Sequence, residues 1–193
     1  MVKIMDKIEI SKEKILEEYT NIDDFIKEAI EIVYCEKEID ITKHEIIKTI
    51  EKYEFGLKII QEMIEKRKYD ALDDLKGKTG VYIFLKDGIP QYIGIGGEKH
   101  DGKDENRLYT RLTQELRKYD PSSSDTGATL SKNIQEIETA LGNITYGVES
   151  IEIIKTFDLI VLLVGDITKK EDVEKARVLE TVLIALFHPK YNK

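Results

Sequence analysis

Apolar residues in the first part of the chain recur at helical spacing. Between residues 46 and 64 they are separated by 4, 3, 4, 3 and 4 positions: Ile46, Ile50, Tyr53, Leu57, Ile60 and Ile64. This seam predicts a helix that packs on another helix. Two arrangements stay open, a helical hairpin within the chain and a contact between two copies of it. We therefore expect residues 1–78 to form a helical N-terminal region used for packing or dimerisation.

The pattern changes to short β-type runs after residue 78. Residues 80–85 are rich in β-branched and aromatic side chains, and residues 91–95 form a second short apolar run. Asp87-Gly88 lies between these two runs and is typical of a tight turn. The two runs therefore predict a β-hairpin that opens the second domain.

The rest of the chain predicts helices and strands in alternation. Helical spacing covers residues 107–119, 130–141 and a final stretch that ends at His188-Pro189, and strands are predicted at 151–154 and 157–164. The last of these strands is a continuous apolar run, which is typical of a central, fully buried strand. We expect an α+β fold over residues 79–193, with a small, mainly antiparallel sheet flanked by helices and preceded by the helical N-terminal region.

Composition limits the binding partners and the cellular compartments that are possible for this protein. The chain has 30 Lys and Arg against 38 Asp and Glu, a net charge of −8, which is a caution against nucleic-acid binding because phosphate is recognised by clustered cations. The single cysteine, Cys35, forms no internal disulfide and fits a reducing cytoplasm. The longest apolar run, residues 159–164, is far shorter than the roughly 20 residues that span a bilayer, so no membrane association is expected.

Several short motifs occur in a characteristic order in the second part of the chain. They are Gly80-Val81-Tyr82, Tyr92-Ile93-Gly94, Arg111-Leu112, Leu179-Glu180 and the ending Pro189-Lys190-Tyr191-Asn192. Together, in their predicted secondary-structure context, they resemble the GIY-YIG nuclease superfamily over about residues 79–193. Members of that superfamily cleave DNA phosphodiester bonds with one divalent metal ion, so the resemblance implies DNA as the partner and Mg²⁺ or Mn²⁺ as the cofactor.

The resemblance also implies a role for each motif residue. Glu180 holds the metal ion, since a carboxylate suits a hard cation whose other ligands are phosphate and water. Arg111 offers phosphate a planar fork of donors. Tyr82 acts as the base that activates water, and Tyr92 is a second positioning hydroxyl. Asn192 orients groups near the phosphate or stabilises the C-terminus.

Further cations near these motifs are candidates for substrate binding. Arg107 lies one helical turn before Arg111 and competes with it as the phosphate ligand, and three residues of the following loop are within possible reach of phosphate: Lys99, His100 and Lys103.

The sequence departs from the family pattern at two positions. Glu115 replaces a His or Tyr four residues after the arginine, and Ile95 replaces a lysine after the second motif. Both changes remove help for a tyrosine that must lose a proton, because its ordinary pKa is about 10. Glu115 has two alternative roles, as a partner of Arg111 or as a second metal ligand.

The leading expectation is a metal-dependent DNA endonuclease, in a restriction-like or mobile-element setting, in which water attacks phosphorus. Two alternatives stay open. One is a non-catalytic interaction protein on the same scaffold, which the acidic charge and the two departures favour. The other is a phosphodiesterase that acts on RNA or on small nucleotides with the same residues.

Overall fold

The computed structural model describes residues 50–96, 107–117, 129–144 and 149–193. The predictions for residues 1–49, including their helices and a dimer contact, lie outside these ranges, as do Lys99, His100 and Lys103. The described elements are β1 (Glu51–Phe55), α1 (Leu57–Lys66), a 3₁₀ helix (Asp70–Leu75), β2 (Lys78–Lys86), β3 (Ile89–Gly96), α2 (Arg107–Glu115), α3 (Thr129–Ala140), α4 (Glu149–Ile154), β4 (Asp158–Asp166) and α5 (Lys170–Phe187).

The four strands form one antiparallel sheet in the order β1-β4-β2-β3. This confirms the predicted α+β class, and β4 is the central, buried strand that its apolar run predicts. The predicted hairpin is present as β2 and β3. Its turn residues Asp87 and Gly88 have positive φ angles of 53° and 77°, which is the conformation that favours Asp-Gly in a two-residue hairpin loop.

Alternating residues of the sheet face two separate cores. One face, which carries Tyr82, Phe84 and Tyr92, packs against α1–α4. The other face, which carries Ile83 and Ile93, packs against α5. Because side chains of a strand alternate between faces, consecutive residues of the Tyr92-Ile93-Gly94 motif contact different helices.

Two sequence predictions about secondary structure were wrong. Residues 51–55 form strand β1 instead of part of a long helix, and they pair with β4 from Glu51 opposite Leu163 to Phe55 opposite Leu159. Gly56 ends the strand and is the N-cap of α1. The predicted strand at 151–154 is part of the short helix α4. The sheet therefore includes a strand from before residue 78, and the predicted boundary after residue 78 lies at the start of β2 in the same sheet.

The C-terminal residues cover the exposed edge of the sheet at β3. The Tyr191 amide donates a 2.9 Å hydrogen bond to the Gln91 carbonyl oxygen, and the Tyr191 hydroxyl donates a 2.7 Å bond to Glu138 on α3. The side-chain Nδ2 atom of Asn133 on α3 donates a 2.8 Å hydrogen bond to the Tyr191 carbonyl oxygen. These bonds attach the end of the chain to both β3 and α3.

None of the helices in the described ranges combines the length and the apolarity that crossing a bilayer requires.

Candidate functional site

Three glycines of β2 and β3 lie where an added side chain would overlap other atoms, and one of them, Gly94, lies against the Tyr82 ring. A Cβ atom at Gly94, the β3 residue opposite Tyr82, would lie 2.5 Å from the Tyr82 hydroxyl oxygen. A Cβ atom at Gly80 would lie 2.2 Å from the Leu162 carbonyl oxygen, and one at Gly96 would lie 2.4 Å from the Leu108 Cα atom. The glycines of both hairpin motifs are therefore required by packing.

Tyr82 and Tyr92 lie side by side on the same face of the sheet. Their ring centroids are 6.2 Å apart with the planes tilted by 43°. Tyr82 has no exposed surface, whereas Tyr92, on the edge strand, is 5% exposed. Burial, with Glu115 as the next cause, raises the pKa of both hydroxyls, so both are protonated at neutral pH.

Helix α2 carries Arg111, whose charge acts on both tyrosine hydroxyls, and Glu115 one turn further along. The Arg111 Nη2 atom donates a 2.8 Å hydrogen bond to Glu115 Oε1, and it lies 3.3 Å from Thr129 Oγ1. The Glu115 side chain is fully buried, whereas that of Arg111 is 22% exposed. Of the two roles left open for Glu115, pairing with Arg111 is confirmed.

The Glu115 carboxylate joins three elements of the fold. Besides the Arg111 bond, Oε1 accepts a 3.1 Å bond from the Tyr82 hydroxyl, and Oε2 accepts a 2.7 Å bond from the Leu130 amide near the start of α3. Burial raises the pKa of this carboxyl to about 7, although Arg111, Leu130 and Tyr82 each act to lower it. Near neutral pH the group can therefore both accept and release a proton.

Glu180 reaches this region from the opposite side of the sheet. Its helix, α5, buries Ala176, Leu179 and Leu183 against the face that carries Ile93, and the partly buried Glu180 lies beside this stripe. The Glu180 charge nevertheless contributes to the raised pKa of Tyr92. The two groups thus interact electrostatically across the edge strand β3, although the helix that carries the glutamate is not on the tyrosine face.

Asn192 bonds the backbone of the Tyr92-Ile93-Gly94 motif. The Ile93 amide donates a 2.8 Å bond to Asn192 Oδ1, and Asn192 Nδ2 donates a 2.6 Å bond to the Ile93 carbonyl oxygen. The side chain thereby satisfies both outward backbone groups of one β3 residue. This geometry fits the stabilising role predicted for Asn192.

Arg107, the other arginine considered as a phosphate ligand, lies at the start of α2 and is partly exposed.

The structure brings together Tyr82, Tyr92 and Arg111 and adds Glu115, for which pairing with Arg111 was one of the two roles expected. The signal for its pairing was the i, i+4 spacing from Arg111. In the part of the chain that the structure describes, no three His, Cys, Asp or Glu side chains gather closely enough to hold a metal ion. Among the described residues, a divalent cation at Glu180 would therefore have at most two such protein ligands, with further oxygen ligands from phosphate and water, as Mg²⁺ tolerates.

Comparison of the chain with protein-family models, with curated protein sequences and with solved structures gives no match. The resemblance to the GIY-YIG nuclease superfamily rests on the motif residues of the sequence.

Proposed function

We propose that this protein is a metal-dependent endonuclease that hydrolyses DNA phosphodiester bonds in the cytoplasm, with a GIY-YIG-like reaction centre at the β3 edge of the sheet. One observation carries the proposal. Tyr82, Tyr92 and Arg111 come from two strands and a helix, and their polar groups interact within one cluster. Glu180, from a fourth segment, acts on the same Tyr92 hydroxyl.

In this proposal the tyrosines guide the proton of the attacking water. Tyr92 keeps some exposed surface and Tyr82 keeps none, so in this proposal water meets Tyr92 before Tyr82. The Tyr82 hydroxyl donates to Glu115, whose raised pKa suits a proton acceptor near neutral pH. A proton from water passes to Tyr92 and through Tyr82 to Glu115, and each hydroxyl releases one proton as it takes another. Tyr82 then acts as a relay rather than as the base itself.

Arg111 and Glu180 serve the phosphate in complementary ways. Negative charge grows on the phosphoryl oxygens in the transition state, and a guanidinium held in place by Glu115 stabilises it without reorganising. Glu180 offers a carboxylate that suits Mg²⁺ or Mn²⁺ and whose charge acts on Tyr92. When bound there, the cation supplies charge neutralisation and lowers the pKa of bound water.

A non-catalytic interaction protein on this scaffold is the second candidate, and two observations favour it. Tyr82 is fully buried, and the Arg111 charge is matched by the buried carboxylate of Glu115. Both features would also be expected in a site kept only because its residues hold the fold together. A phosphodiesterase for RNA or small nucleotides would use the same residues as the DNA endonuclease.

A cleavage assay with supercoiled plasmid tests the proposal. The full chain is incubated with the plasmid in Mg²⁺, in Mn²⁺ and in EDTA, beside the variants Glu180→Gln and Arg111→Lys. We expect nicking that requires metal and falls by about 10²-fold or more in either variant, since each removes an interaction made in the transition state. Arg111→Lys keeps the positive charge next to Glu115 and so limits the structural damage.

Glu171→Gln is the matched control, because Glu171 lies on the same helix with a side chain that is 72% exposed. It should nick as the unaltered chain does. Equal activity in Glu180→Gln and the unaltered chain would overturn the metal assignment. Cleavage of RNA or of small nucleotides alone would indicate the phosphodiesterase, and no cleavage of any substrate would favour the interaction protein.

A further inference from the structure

A cleft of about 580 Å³ opens among the ends of α1 and α2 and helix α4. Its walls include the apolar side chains of Ile64 and Leu116 and the ring of Tyr69. The volume lies within the range that small-molecule sites occupy, and the mixture of an apolar wall with a few polar groups is typical of such sites. The cleft does not include Tyr82, Tyr92 or Arg111.

Three cations and one carboxylate, that of Glu65, line this cleft in a chain whose net charge is −8. Lys155 is paired with Glu152 at 3.0 Å and with Glu65 at 3.6 Å. Arg67 and Arg117 differ from it, because neither has a carboxylate within ion-pair distance in the described ranges of the chain. Within the part of the chain that the structure describes, two guanidinium groups that line the same cleft are thus without an acidic partner.

The backbone at Arg67 gives a second, independent reason to consider this cleft. Arg67 is the C-cap of α1 and has a left-handed conformation with φ 52° and ψ 37°. Glycine is the residue that this conformation favours, so an arginine carries a conformational cost there. Strained positions of this kind concentrate at binding sites. A cation also offsets the dipole at a helix C-terminus, and the experiment below separates that role from binding.

The chemistry of the cleft indicates the class of ligand. A guanidinium offers a planar fork of N–H donors that matches phosphate oxygens. An aromatic ring next to the cations offers a stacking surface, which bases of any sequence can use. We propose that this cleft binds a nucleotide, with its phosphate on Arg67 and Arg117 and its base against Tyr69. The nucleotide is either free or part of a nucleic-acid strand.

This site does not depend on the proposed nuclease activity, because binding of a phosphate ester to arginine needs no metal. Arg117 follows the end of α2, the helix that also carries Arg111. If a strand supplies the nucleotide, α2 links this cleft to the candidate reaction centre. A chain that binds the probes below but never nicks plasmid would keep this site and lose the nuclease proposal.

Calorimetric titration of the full chain in EDTA tests the assignment with three probes: adenosine monophosphate, a single strand of ten thymidine nucleotides and inorganic phosphate. We expect a nucleotide probe to bind, and Arg67→Gln and Arg117→Gln each to weaken it by about tenfold or more, as loss of a charge-assisted contact does. Tyr69→Leu should weaken the nucleotide probes and leave inorganic phosphate unchanged. Binding of the strand but not of the mononucleotide would identify the strand as the source.

Arg177→Gln is the control, since this exposed arginine is on α5, across the sheet. It should leave binding unchanged. Thermal melting of every variant shows whether it is folded. A fall in melting temperature with unchanged affinity would mean that the two arginines serve only the helix ends, which overturns the proposal. Absence of binding by both nucleotide probes, or equal affinity for inorganic phosphate, would also overturn it.

Discussion

A Cβ atom at Gly94 would lie 2.5 Å from the hydroxyl oxygen of Tyr82 and 2.5 Å from its Cζ atom. The two residues are opposite each other on β2 and β3. The end of the tyrosine ring therefore occupies the space in which any other side chain at position 94 would begin. This contact explains in packing terms why a tyrosine in the first hairpin motif goes with a glycine in the second.

The first prediction concerns Gly94→Ala. The added methyl group must displace the Tyr82 ring, and overpacking of this kind costs about 1–3 kcal/mol in the free energy of unfolding. Urea denaturation measures this loss. Gly56→Ala is the control, because a Cβ atom there meets nothing within 4 Å, and it should change stability much less. Equal effects of the two substitutions would contradict the proposed packing.

The sequence predicted the hairpin and the central strand because their signals are local. The Asp87-Gly88 turn and the apolar run in β4 both show in a few adjacent residues. Strand β1 was missed since it is held by its pairing with β4, and tertiary pairing commonly outweighs local propensity. Tyr53 and Leu57 have helical spacing, but Gly56 ends the strand between them. Helix α4 is six residues long, too short to reveal a period.

The sequence predicted those residues of the candidate site that belong to its motifs. The tyrosines and Arg111 do come together. Two of the three partners of Glu115 could not be foreseen, because the Leu130 amide and the Tyr82 hydroxyl are brought to it by the packing of α2, α3 and β2. The face of the sheet on which α5 packs likewise depends on which residues of β3 it covers. No sequence motif indicates which residues those are.

A second prediction follows from the raised pKa of Glu115, for which burial is the largest cause. The folded chain binds this proton more tightly than the unfolded chain, whose carboxyl has a pKa near the ordinary 4.5. The stabilisation is fully present below about pH 4.5 and is lost as the pH rises through 7. Relative to Glu115→Gln, the free energy of unfolding should fall by about 3 kcal/mol over that range.

Denaturation of both proteins at several pH values measures this difference. The Gln variant removes the titrating group and keeps a side chain of the same shape, so other carboxyls cancel in the comparison. If the free energy of unfolding of the unaltered chain instead rises with pH relative to Glu115→Gln, the Arg111 ion pair outweighs burial. That result would contradict the prediction.

The third prediction concerns Glu138, whose pKa moves in the opposite direction. Burial acts to raise it, but hydrogen bonds from Lys190, Asn143 and Tyr191 outweigh burial and lower the pKa to about 2. Its stabilisation is present above about pH 4.5 and is lost as the pH falls towards 2. Acid unfolding should therefore be less steep in Glu138→Gln than in the unaltered chain, and Lys190→Ala should be intermediate. Identical acid profiles would exclude this role.

The fourth prediction concerns the bond between the C-terminus and β3. Asn192→Ala removes both hydrogen bonds to the Ile93 backbone and should lower the free energy of unfolding by about 1–3 kcal/mol. Asn192→Asp keeps an acceptor for the Ile93 amide but no donor for its carbonyl oxygen, so it should also destabilise. Lys193→Ala removes only an exposed ion pair with Glu136 and should cost less than about 1 kcal/mol. A larger effect of the Lys193 change would contradict this account.

Paramagnetic broadening by Mn²⁺ tests most directly whether Glu180 and the tyrosines share one metal-dependent centre across β3. In amide spectra of the labelled full chain, substoichiometric Mn²⁺ should broaden the signals around Glu180 on α5 together with those of Ile93 and Gly94 on β3. The broadening should disappear in Glu180→Gln and persist in Glu171→Gln. Broadening that is centred away from β3, or that is unchanged in Glu180→Gln, would contradict a shared reaction centre.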